Sequence, residues 1–198
     1  MIKGDYLNLA KGQLKSKDGI DLYSRKDFDG MHTAGRVAAE ILDEIVTSVF
    51  PGQTTGKIDA IIEELIRDKN VESGTIGYRG YQHASCISVN HVVCHGIPSD
   101  KILKEGDILN IDVTVIKDGW YGDTSRMYVA GQPSRKAERL IQVTHDALFK
   151  GIDAVKPGKT FGDIGHAIQT YVEANRMSVV RDFCGHGLGR VFHSPPNV

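Results

Sequence analysis

The chain has 198 residues, with 24 basic and 25 acidic side chains and a formal net charge of −1 at neutral pH. With charges this closely balanced, nothing points to a nucleic-acid or membrane surface as the main partner. The length suits one soluble domain, or two closely packed halves, with enough residues for a real core.

Cys86, Cys94 and Cys184 are odd in number and form no C-x-x-C pair, which points to reduced thiols in a cytosol-like compartment. No apolar run reaches the ~20 residues of a membrane span, and the N-terminus lacks a signal-peptide core. A cytoplasmic protein is expected.

Residues 1–23 show no sustained period and read as an N-terminal extension, with one short strand around Leu22-Tyr23. Ser24-Arg25-Lys26-Asp27 has the spacing of a capping box. Met31, Ala34, Val37/Ala38, Ile41/Leu42, Ile45 and Val49 then recur at helical intervals, predicting a helix to about Phe50, where Pro51-Gly52 stops it. Thr54 or Thr55 caps a second helix that buries Ile58, Ile61/Ile62 and Leu65/Ile66.

From Gly74 the chain becomes a glycine–aromatic loop. Gly77 and Gly80 let Tyr78 and Tyr81 project over a pocket, or simply sit at the surface of a turn. The apolar stretch Cys86-Ile87-Ser88-Val89 comes after it. Next are His91 and His95, which on a helix could share a metal ion. The intervening valines and the nearby Gly96 and Pro98 favour extended chain instead. That separates the histidines by about 13 Å at ~3.3 Å per residue, so at most one belongs to a site.

Asp107 to Val129 reads as a β-hairpin, rich in Val, Ile and Thr on its first arm. Asp118-Gly119 suits a two-residue type I′ turn. That turn pairs Lys117 with Trp120, Thr114 with Asp123, and Asp112 with Ser125. Asp112 and Asp123 then share a face as diagonal neighbours, roughly 7–8 Å apart at Cα. Two carboxylates on one face of an apolar hairpin must share a proton, meet a cation, or face water. A solvated outer face and a site for divalent cations both fit.

Pro133-Ser134 opens a third helix with Ala137, Leu140/Ile141, Thr144, Ala147/Leu148 and Ile152 expected inside, ended by Pro157-Gly158. A fourth starts after Thr160 and carries Phe161, Ile164, Ala167/Ile168 and Tyr171/Val172. This second pair echoes the first: Val49, Pro51, Gly52, Thr54, Gly56, Ile58 and Ile62 recur 106 positions on as Val155, Pro157, Gly158, Thr160, Gly162, Ile164 and Ile168. Two related halves are expected, about 24–130 and 131–198, and the repeat predicts that the second stops short of its own acidic hairpin. The second half continues with an extended segment near Val180, then a glycine-flanked His186 and His193. Glycines beside His186 leave its imidazole uncrowded, as a ligand or acid–base group requires.

The segments VCHGIP at 93–98, NIDVTVIKDGWYGDTS at 110–125 and CGHGLGRVFH at 184–193 resemble methionine aminopeptidase of the bacterial type I class. The likeness runs from about residue 24 to the last residue, making 24–198 the catalytic domain. It implies a duplicated α/β pita-bread fold with a central antiparallel sheet and outer helices, the second half incomplete.

By the same resemblance Asp112 would chelate one metal, Asp123 would bridge two, and His186 would bind the other. His95 and His193 would contact the scissile amide and the developing oxyanion. Tyr78, Tyr81, Cys86 and Phe192 would line the methionine pocket. The implied cofactors are two divalent ions (Co, Mn, Fe or Zn), and the implied partner is the N-terminal methionine of nascent polypeptides at the ribosome, met by a monomer. The two glutamate ligands of the family have no counterpart here, so a fragment with weak metal binding is expected. A catalytically inactive pita-bread module that binds peptides or partners and a prolidase-type dipeptidase are the rival readings.

Overall fold

The computed structural model describes residues 14–198. Residues 1–13, most of the expected extension, lie outside the described residues. The remainder of that stretch is a small hairpin, β1 (Leu14–Lys15) with β2 (Asp21–Leu22), so a strand does fall where Leu22 led one to be expected.

Helix α1 (Arg25–Glu44) starts at the anticipated box. The Asp27 backbone donates to the Ser24 hydroxyl, and the Ser24 backbone donates to the Asp27 carboxylate at 2.8 Å, which satisfies two otherwise orphaned N–H groups. The helix tightens into a single 3₁₀ turn over Ile45–Ser48 before Pro51. Helix α2 (Thr55–Asp68) is capped by Thr54 and buries Ile58, Ile62 and Ile66.

Four strands form the sheet: β3 (Glu72–Ser73), β4 (Ser85–Val89), β5 (Ile108–Lys117) and β6 (Trp120–Val129). β5 is central. β6 runs antiparallel along one of its edges, while β4 and β3 share the other. The β5–β6 register is the one the turn dictates: Lys117↔Trp120, Thr114↔Asp123 and Asp112↔Ser125, without a bulge. Asp118 and Gly119 take φ of 52° and 75°, as a type I′ turn requires.

Alternation along β5 creates two environments. Leu109, Ile111, Val113 and Val115 are fully buried, and α1 packs against β5 and β6. Contact is close enough that a Cβ on Gly122 would overlap the Ala34 carbonyl group. Asn110, Asp112 and Thr114 occupy the opposite face.

Helices α3 (Arg135–Ala154) and α4 (Phe161–Ala174) pack on each other. The buried face of α3 differs from expectation: Val143, Ala147 and Gly151 are inside, while Leu140, Leu148 and Ile152 are 43%, 55% and 52% exposed. Helical period alone cannot say which side of an apolar stripe meets a partner, and α4 supplies a narrow one. Gly151 admits Ile168, whose side chain a Cβ there would meet at 2.8 Å.

The extended segment expected near Val180 is irregular. Beyond it lies a short ribbon, β7 (His186–Gly187) with β8 (Ser194–Asn197).

Candidate metal centre and substrate cavity

A cavity of about 570 Å³ opens on the face of the sheet opposite α1. All nine residues singled out from the sequence line it: Asp112, Asp123, His186, His95, His193, Tyr78, Tyr81, Cys86 and Phe192. His91 does not. The reason expected for that separation was an extended chain, and this is corrected: the chain turns at Asn90. Val92 N–H donates to Val89 O at 3.2 Å, and His95 takes a left-handed φ of 55°. Asn90 fixes the turn, donating to Asp107 and accepting from Ile108 N–H.

Asp112 and Asp123 sit on adjacent strands of the hairpin, and their carboxyl groups are close enough to share a proton. Desolvation, followed by the Asp123 charge and that shared proton, pushes Asp112 up to about 7. The Thr114 hydroxyl donates to Asp123 Oδ1 at 2.9 Å and holds its rotamer. Asp123 Oδ2 lies 3.5 Å from His186 Nε2. Asp123 is therefore the member common to both contacts.

His186 Nδ1 lies 3.1 Å from Gly187 O. A carbonyl only accepts, so Nδ1 carries the hydrogen, and Nε2 is the nitrogen turned toward Asp123. An imidazole nitrogen and a carboxylate oxygen at this range are suited to hold a proton or a cation between them. A ligating histidine characteristically donates its other N–H to a carbonyl in this way. The donor set thus fits a divalent cation. Among the described residues, however, no three His, Cys, Asp or Glu side chains already converge tightly enough to hold one. Asp123 makes the contacts to Asp112 and to His186.

The remaining wall is aromatic. Tyr78 OH and His193 Nδ1 are 2.9 Å apart, and their rings stack at 5.3 Å. Phe192 lies between Tyr78 and Tyr121, at 4.8 and 5.6 Å. Desolvation, then the neighbouring His186, lowers the His193 pKa. Burial raises both Tyr81 and Cys86, so both stay neutral at pH 7.

Behind this wall Asp59 is 6% exposed and accepts from Ser85 N–H, Ser85 Oγ and His83 Nδ1 at 2.8, 2.7 and 3.1 Å. It anchors the loop bearing Tyr78 and Tyr81 to α2. Sequence reasoning missed Thr114, Arg79 and Ile97, which also line the cavity. For Thr114 the signal was present, since the register already set it opposite Asp123.

A carboxylate hairpin facing a histidine loop, on a sheet backed by helices, is the architecture of a metallopeptidase, and residues 29–198 match metallopeptidase family M24. Methionine aminopeptidase of Rickettsia prowazekii is 54% identical over 179 residues, covering 90% of this chain and 69% of that protein. The crystal structure of the methionine aminopeptidase from that organism has a TM-score of 0.87, covering 89% of this chain and 71% of the other. Prolidase from Pyrococcus furiosus, 20% identical with a TM-score of 0.77, shares the fold alone. The chain belongs to the methionine aminopeptidases of family M24 and has their pita-bread fold.

Proposed function

We propose that this chain removes the N-terminal methionine of nascent polypeptides by metal-assisted peptide hydrolysis. One observation carries the reading: a carboxylate pair, a histidine nitrogen and an apolar aromatic wall meet in a single cavity. Asp112, Asp123 and His186 would hold two divalent ions of the Co, Mn, Fe or Zn type. When bound, such ions acidify water and polarise a carbonyl.

The chain's own groups do the rest. Thr114 fixes the Asp123 carboxylate. Tyr78 engages Nδ1 of His193 and leaves Nε2 available to the substrate amide, and His95 borders the same space. Neutral Tyr81 and Cys86, with Phe192, present a surface suited to a polarisable thioether. Each methylene misfit there discriminates by about 1–3 kcal/mol. The substrate is met at the ribosome by a monomer.

The test compares Met-Ala-Ser with Leu-Ala-Ser on the chain supplied with Co²⁺ or Mn²⁺. Selective binding of the methionine peptide is expected, with slow release of methionine that requires metal. Slow release is expected because Asp112 and Asp123 are the only carboxylates lining the cavity among the described residues. Equal binding of both peptides would overturn the assignment of the pocket.

A further inference from the structure

The loop holding His186 and His193 is joined to the rest of the fold mainly through its side chains. Among the described residues, β7 and β8 pair only with each other. Phe192 stacks on Tyr121 and His193 meets the Tyr78 hydroxyl, and the side chain that reaches the hairpin tip is Arg190. Its Nη1 donates to Asp118 O, at the tip of the acidic hairpin, at 2.9 Å, and its guanidinium carbon lies 3.9 Å from the centroid of the Trp120 ring. Beside it the Tyr121 backbone donates to Gly189 O at 2.9 Å.

The surroundings are shaped to seat this contact. A Cβ on Gly119 would sit 2.7 Å from Arg190 Nη1. A Cβ on Gly189 would collide with the Tyr23 hydroxyl, and the Tyr23 ring meets Trp120 edge-on at 5.9 Å. Trp120 is therefore contacted by Tyr23 as well as by the guanidinium of Arg190. Trp120 and Asp123 belong to one strand, locked to β5 over its whole length. The loop consequently meets a rigid hairpin at its tip, through Arg190, and along β6, where Phe192 stacks on Tyr121 and His186 Nε2 approaches Asp123 Oδ2 at 3.5 Å.

We infer that Arg190 is a positioning residue that latches the histidine loop to the carboxylate hairpin and so sets the span between His186 and Asp123. A planar guanidinium can stack on an indole and donate along a fixed direction at once, which a lysine ammonium cannot. The inference rests on the proposed metal reading of Asp112, Asp123 and His186.

The experiment uses the full chain, Co²⁺ calorimetry, and the emission of Trp120, the single tryptophan. Arg190→Ala should shift Trp120 emission without metal and weaken Co²⁺ binding about tenfold, the scale of losing an outer-sphere support. Arg190→Gln, which keeps a donor for Asp118 but not the stacking, should lose less. Urea midpoints should stay at the wild-type value, because the core lies elsewhere.

Wild-type Co²⁺ affinity in Arg190→Ala would overturn the latch. Should Arg190→Ala fail to fold, Arg190→Gln decides, and undiminished affinity there overturns it equally. Asp112→Asn separates the latch from the metal reading beneath it: if that variant binds Co²⁺ as wild type does, the metal reading itself fails.

Discussion

The two helical pairs share a motif and have different fates. α1 and α2 lie over a four-stranded sheet, and the main buried cluster runs from Ala38 to Ala130, wholly within the first half. α3 and α4 pack on each other, with Val143, Ala147 and Val172 as their buried apolar side chains and Leu148, Phe149, Ile152 and Phe161 half exposed. Caps and turns are local and recur in both halves; Thr54 and Thr160 both cap helices. Burial is not local, because it depends on what packs above. Stability therefore resides in the first half, while the site draws on both.

Truncating Ile111, fully buried beneath α1, strikes this contrast where the effect should be greatest. Ile111→Ala should cost about 2–5 kcal/mol in urea unfolding, combining lost transfer energy with a cavity. A smaller loss would mean that the sheet is not the centre of stability.

Next is the residue that joins the halves. Asp123→Ala should lower Co²⁺ affinity by at least about 100-fold in calorimetry, beyond the usual cost of losing an outer partner. Affinity retained within tenfold would deny Asp123 its shared position.

A third test concerns the strain of paired carboxylates without metal. Asp112 is raised from 3.8 to about 7, so between those values the folded state binds more protons than the unfolded state. Stability contributed by this group falls as pH rises through the window and levels off above it. Asp112→Asn in EDTA should therefore gain on wild type between pH 4 and pH 8, by at most about 4 kcal/mol. Parallel pH profiles would show that the two carboxyl groups are not coupled.

At the small end, Leu148→Ala on α3 should change stability by no more than about 0.5 kcal/mol, as for other surface positions. A loss comparable to that of Ile111→Ala would place a second core in the second half.

Much of the site was legible because one turn fixes one register. Asp118-Gly119 allows a single pairing, and that pairing sets Thr114 opposite Asp123 and both aspartates on one face. The Ser24–Asp27 capping box was legible for the same reason, being made by residues three apart. The α3 face was not, since its stripe of Leu140, Ala147 and Leu148 is periodic whether or not a partner covers it. Nor was the turn at Asn90, which depends on Asp107 and Ile108 reached through space. Arg190 stands within the glycine–histidine motif, but its seat on Trp120 joins residues seventy apart and is invisible to local spacing.

The unbroken β5–β6 ladder also has a consequence in time. Amide protons of residues 109–115 can exchange with deuterated solvent only when the sheet itself opens, whereas residues 184–193 are mostly irregular and only partly buried. Exchange measured by mass spectrometry should find the carboxylate half protected for about as long as the protein stays folded, and the histidine half labelled early. Exchange in that order would make the aspartates the fixed half of the centre and the histidine ribbon its yielding half.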